Sequence, residues 1–222
     1  MLMALIYSAL LICSTCITNR VCRDPGGNEV DWYSIFLMPA SVSSDGSINY
    51  GYFDSSLSDL KFYIYDESTF PPNHITKYIT SDDSDFNYFL WNEDKTVKGG
   101  PSEFAASSKA YAKGTLIYDA NLGSFLLHSL PRFPTRTSDN QILTELPSNT
   151  GSYGQSFLCI TITKFTAESI VKMLDCININ VNKAIDSDRV NTYYPNEWVT
   201  NLINNKMDIS CPLQHTIIIT SK

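Results

Sequence analysis

The sequence predicts an α+β domain built on one mixed β-sheet with helices packed against it. Three observations carry that expectation. About six to eight short runs combine β-branched and aromatic residues, as pleated, half-buried strands require. A helical spacing of apolar residues is clearest at Ile170, Val171 and Leu174. The 222 residues are 43% hydrophobic and 12% aromatic, enough to fill the core of a single domain. No internal repeat or low-complexity linker divides the chain.

The elements follow in order. Met1 to Thr18 (MLMALIYSALLICSTCIT) is an uncharged apolar run met by polar Asn19-Arg20. It suits a cleaved secretory signal over 1–18 better than a membrane span, although the usual basic start is missing. The domain is then expected over 19–222, secreted and free of any membrane anchor. Val30 to Met38 (VDWYSIFLM) reads as a nearly buried strand closed by Pro39, with shorter strands at Tyr50 to Asp54 and Leu60 to Tyr65. Phe70-Pro71-Pro72-Asn73 reads as a break in the pattern. Asp83-x-Asp85-x-Asn87, with Asp94 beyond, partly mimics a calcium loop. Tyr88 stands where that loop needs Gly, so a solvated acidic loop before a strand is expected, and no metal.

Tyr111 to Tyr118 (YAKGTLIY) and Ser124 to Leu130 (SFLLHSL) flank Asp119-Ala120-Asn121-Leu122-Gly123, the turn chemistry of a hairpin. Gln155 to Thr163 alternates as a strand. Thr166 can cap a helix running to about Leu174. A second helix is expected at Asn196 to Asn205 and a last strand at Thr216 to Thr220.

A net charge of −7 argues against strong phosphate-driven nucleic-acid binding at neutral pH. Of six cysteines, Cys13 and Cys16 leave with the signal. Cys22, Cys159, Cys176 and Cys211 remain, an even number in an exported chain, which suggests disulfides with their pairing open. Gly-x-Ser-x-Gly, P-loop and dinucleotide-binding patterns are absent.

Histidines number three. His74 reads as exposed in a Pro-flanked loop, and His215 as structural at the last strand. His128 lies in the apolar hairpin strand, where a satisfied core histidine is the plainest reading. A four-residue loop, Ala120 to Gly123, sets Thr115 opposite His128 and Lys113 opposite Leu130, so Lys113 and His128 share a face. A five-residue loop separates them.

The blocks YAKGTLIYD (111–119), GSFLLHS (123–129) and PRFP (131–134) together resemble deoxyribonuclease II. Cys22 with Val30-Asp31-Trp32-Tyr33, Tyr50-Gly51-Tyr52-Phe53-Asp54 and YGQSFLC (153–159) agree in order and rough spacing. The resemblance implies a phospholipase-D-like lobe and Cys22–Cys159 and Cys176–Cys211 disulfides. It also implies a secreted or lysosomal, metal- and cofactor-independent acid endonuclease acting on DNA. Such enzymes bring together two His-x-Lys motifs: one histidine attacks phosphorus, the other protonates the leaving oxygen, and lysines hold the phosphate charge.

Here Tyr111 occupies the histidine position of the first motif, while Lys113 is kept. His128 matches a histidine the family uses near its site, and Lys113 and Arg132 are the expected substrate contacts. The final stretch, TIIITS before Lys222, resembles a strand from the middle of the family, so the second motif is expected to be missing. A phenol with a pKa near 10 is a poor nucleophile. The expectation is a family member impaired in catalysis; a nuclease completed by a homodimer or a longer natural chain, and a non-enzymatic binding protein, are the alternatives. An exposed apolar flank, covered by dimer formation, is expected where a partner lobe is lacking.

Overall fold

Alternation decides the first strand. A computed structural model describes residues 20–79, 86–92, 94–95, 103–104, 112–136, 142–147, 150–177, 179 and 181–184. In β1, Trp32–Leu37, the side chains of Tyr33, Ile35 and Leu37 are buried while Phe36 is 58% exposed. The strand is therefore shorter than Val30 to Met38 and covered on one face, not nearly buried. After a 3-10 turn at Ala40–Val42 come β2, Asn49–Asp54, and β3, Lys61–Ile64, an edge strand exposed along its whole length.

The prolines after Phe70 do not break the chain; they start a helix, α1, Pro71–Ile79. Proline lacks an N–H, but the first turn of a helix has no intrahelical acceptor for one, and the fixed φ suits it. Ile75 and Ile79, one turn apart, are buried. His74 accordingly lies on a half-buried helix and not in an exposed loop.

Next is β4, Asn87–Trp91, buried throughout, then the short pair β5, Asp94–Lys95, and β6, Glu103–Phe104. Asn87 is thus a buried strand residue, while Asp83 and Asp85 lie outside the described residues. The hairpin is β7, Gly114–Tyr118, and β8, Leu122–His128. A second small pair, β9 (Thr135–Arg136) and β10 (Ile142–Leu143), precedes a 3-10 turn at Thr150–Ser152 and β11, Gln155–Thr163. Helix α2 covers Lys164–Cys176 and β12 covers Val181–Ala184. Its cap is Thr163, not Thr166: the Thr163 hydroxyl accepts from the Thr166 N–H at 3.2 Å.

The eight main strands run in the order β12-β4-β7-β8-β11-β1-β2-β3. The α+β class holds. The sheet is antiparallel at every neighbouring pair, where a mixed one was expected: the chain crosses from β3 to β4 and from β11 to β12, yet each strand still enters opposite in direction to its neighbours. Each face carries its own apolar layer. Ala167, Ile170, Val171 and Leu174 of α2 pack on Trp91, Leu116, Phe125 and Ile162. The opposite face holds α1, the N-terminal segment through Cys22 and Val30, and Leu130 and Phe133.

That N-terminal segment is pinned to β11. Cys22 is disulfide-bonded to Cys159 with a Cα–Cα distance of 6.0 Å, the pairing the resemblance implied. The Cys22 N–H donates to the Thr161 hydroxyl at 3.1 Å, which donates to the Val30 carbonyl at 2.7 Å. Cys176 is disulfide-bonded; Cys211, residues 1–19, and the segments where a helix (Asn196 to Asn205) and a final strand were expected lie outside the described residues. No helix among the described residues is long and apolar enough to cross a membrane.

Candidate functional site

The hairpin sets the site. Tyr118 pairs with Gly123, and the Asp119 N–H donates to the Leu122 carbonyl at 2.9 Å, so the turn residues are Ala120 and Asn121 alone. This is tighter than the four-residue loop. The Asp119 carboxylate closes it, accepting from Asn121 N at 2.7 Å and Leu122 N at 3.0 Å. An Arg20–Asp119 ion pair of 3.7 Å ties the turn to the N-terminal segment. The register places Thr115 opposite Leu126 and brings Lys113 level with His128, whose N–H donates to the Lys113 carbonyl at 3.3 Å. Both side chains therefore belong to one face, as the shorter loop predicts, but they are direct neighbours. Shortening a hairpin loop by two residues slides the partners and preserves the faces.

Gly114 follows Lys113 because nothing larger fits. A Cβ there would stand 2.5 Å from the Leu126 carbonyl oxygen and 2.5 Å from the Trp91 indole. Trp91 and Gly114 are paired across β4 and β7.

His128 is the unusual group. The Phe133 ring meets it edge-on at 5.5 Å and the Phe157 ring stacks on it at 5.7 Å. No side chain hydrogen-bonds either ring nitrogen, and a weak contact with the Leu130 backbone is the polar partner the ring has. Burial first, and the Lys113 ammonium second, push its pKa down to about 3, against a small opposing pull from the Leu130 backbone. It is a core histidine, as expected from the residues alone, but not a satisfied one. At mildly acid pH this imidazole is neutral: able in principle to act as a base or nucleophile, unable in this enclosed geometry to serve as the proton donor.

Lys113 is buried beside it. Arg132 is exposed at the tip of the loop after β8, in a left-handed conformation with φ 57°, ahead of a cis Phe133–Pro134 bond. The Asn92 carboxamide donates to the Phe133 carbonyl at 3.4 Å. Tyr111 lies outside the described residues. Among the described residues no three His, Cys, Asp or Glu side chains gather as a metal site would need. Asn92, Phe133 and Phe157 are the site residues that the reading of motifs misses. Phe157 is singled out by its pairing with His128, and Asn92 and Phe133 by the hydrogen bond between them and the Phe133 ring on the imidazole.

The family model for Deoxyribonuclease II matches residues 21–222. The chain belongs to the deoxyribonuclease II family. Among curated relatives, cell-death-related nuclease 7 of Caenorhabditis elegans is 28% identical over 144 residues, 64% of this chain and 36% of the relative. Deoxyribonuclease-2-alpha of Bos taurus is 28% identical over 158 residues, 67% of this chain and 42% of its own length. Plancitoxin-1 of Acanthaster planci is 27% identical over 178 residues, 75% and 47% of the two chains. This deoxyribonuclease II family chain thus spans less than half the length of these relatives.

Proposed function

We propose that this chain is a secreted deoxyribonuclease II family protein that contacts the DNA backbone through Lys113 and Arg132 but does not cleave it alone. Lys113 and His128 standing side by side carries the reading: a fixed ammonium beside an imidazole is an arrangement suited to holding a phosphodiester. Catalysis in the family needs an imidazole to attack phosphorus, and Tyr111 replaces it. His128 is buried against Phe133 and Phe157, with no side-chain hydrogen bond to orient it for attack on phosphorus. No metal or cofactor enters this reading, and the apolar leader over 1–18 supports export.

The test is plasmid DNA incubated with the pure chain at acid pH in EDTA, beside Tyr111→His. No nicking by the native chain is expected, with gain of nicking in the variant. Scission by the native chain that vanishes in Lys113→Ala would sink the impaired reading and favour an active enzyme completed by dimerisation or by a longer natural chain. DNA retention without scission in either protein favours a binding role.

The exposed apolar side chains Phe36, Phe62 (67%) and Ile64 (68%), beside a cavity of about 320 Å³ lined by Met38, Pro39, Val42 and Phe62, support a homodimer that covers the β3 edge. Sedimentation should show a dimer that Phe62→Lys converts to a monomer. A native monomer across the micromolar range rejects it.

A further inference from the structure

Strand β4 brings a third polar side chain level with the site. Trp91 pairs with Gly114, so the next residue, Asn92, continues the register to the position beside Lys113. Asn92 is 2% exposed. Its carboxamide reaches 41 residues along the chain to donate to the Phe133 carbonyl. Phe133 in turn closes on the His128 imidazole and stands perpendicular to Phe157 at 5.7 Å. One amide therefore links the end of β4 to the loop that roofs the histidine.

We infer that Asn92 is a positioning residue of this site: its carboxamide anchors the Leu130–Pro134 loop, so that Phe133 shuts water away from His128 and holds the imidazole beside Lys113. The physical reason is the cost of an orphaned carbonyl. With the Asn92 donor removed, the buried Phe133 carbonyl must find water, and the shortest route is to lift the loop. Lifting it hydrates both His128 nitrogens. Lys113 is the charged group that bears on the imidazole, and it is held just ahead of β7 by the His128 N–H donating to its carbonyl. The inference concerns the roof over His128 and stands whether or not DNA is cut.

The measurement is the imidazole resonances of His128 in the full chain between pH 4 and pH 8, for the native protein, Asn92→Leu and Asn87→Leu. Asn87 is a second buried asparagine on β4, on the opposite face of the sheet, and controls for general loosening. Native His128 should not titrate in this range and should show cross-relaxation with the Phe133 ring. In Asn92→Leu the contact should weaken and the proton affinity should rise at least about tenfold, one pH unit. Asn87→Leu should leave both unchanged. A flat titration with the Phe133 contact intact in Asn92→Leu overturns the inference, as does an equal response in both variants. Should Asn92→Leu fail to fold, the native chain still decides. Cross-relaxation between the Asn92 carboxamide protons and Phe133 is required, and its absence refutes the tether.

Discussion

Where β2 meets β1, buried polar groups are paid for in hydrogen bonds. The Tyr52 hydroxyl donates to the Asp54 carboxylate at 2.7 Å, and the other Asp54 oxygen accepts from Ser56 N, Ser56 Oγ and Leu57 N at 2.7 to 3.1 Å. Burial alone would raise the Asp54 pKa; those donors outweigh it and hold it below the usual carboxylate value. At the β7–β8 end of the same sheet face, the Thr115 and Ser124 hydroxyls have no partner, and no side chain bonds either His128 nitrogen. Tyr33, on the strand between, shares that lack. Native proteins satisfy nearly all buried polar groups, so a cluster of exceptions marks where stability was not the deciding demand. Around Asp54 the buried polar groups are bonded to one another; at the hairpin end a row of them is not.

The largest expected effect separates the two ends by pH. His128 has a folded pKa below its unfolded one, so the unfolded chain binds the extra proton and stability falls as pH drops from about 6.5 toward 3. The loss at pH 3 is up to about 4 kcal/mol from this group. Burial, then Lys77 and Arg23, lower His74 as well, with the same sign. Asp54 acts later: its contribution is present at higher pH and is lost only as pH falls through its lowered pKa. Urea midpoints across pH 4 to 7 should therefore rise steeply in the native chain and much less in His128→Phe, which should also be as stable or more stable at pH 5. An unchanged slope in that variant breaks the comparison.

A smaller effect comes from the satisfied end. Asp54→Ala strands the Tyr52 hydroxyl and the Ser56 and Leu57 amides, and should cost about 3 kcal/mol in chemical denaturation, against about 1 kcal/mol for Tyr52→Phe. Equal costs would mean that the carboxylate is not the hub the geometry makes it.

How much of this was legible beforehand depends on how far each residue's partner lies along the chain. The alternation of Gln155 to Thr163, the turn at Asp119 and the shared face of Lys113 and His128 all follow from neighbours a few residues apart. The tyrosine at position 111 was likewise plain. The start of α1 was misread because a proline pair signals a break in the absence of burial, while Ile75 and Ile79 acquire theirs only against the sheet. The exposed side of β1 was misread for the converse reason: nothing in VDWYSIFLM says that Phe36 will face outward with no layer above it.

Chain order alone, then, determined the strand pattern, the family blocks, the cysteines available to pair and the presence of a tyrosine at position 111, because side-chain periodicity and residue identity are local properties. Only the packed structure decided that His128 is buried, that Asn92 stands level with Lys113 and that Phe133 packs on the imidazole. Those depend on strands and a loop brought together from positions 92, 113, 128, 133 and 157, and burial is a property of what covers a group, which no local spacing encodes.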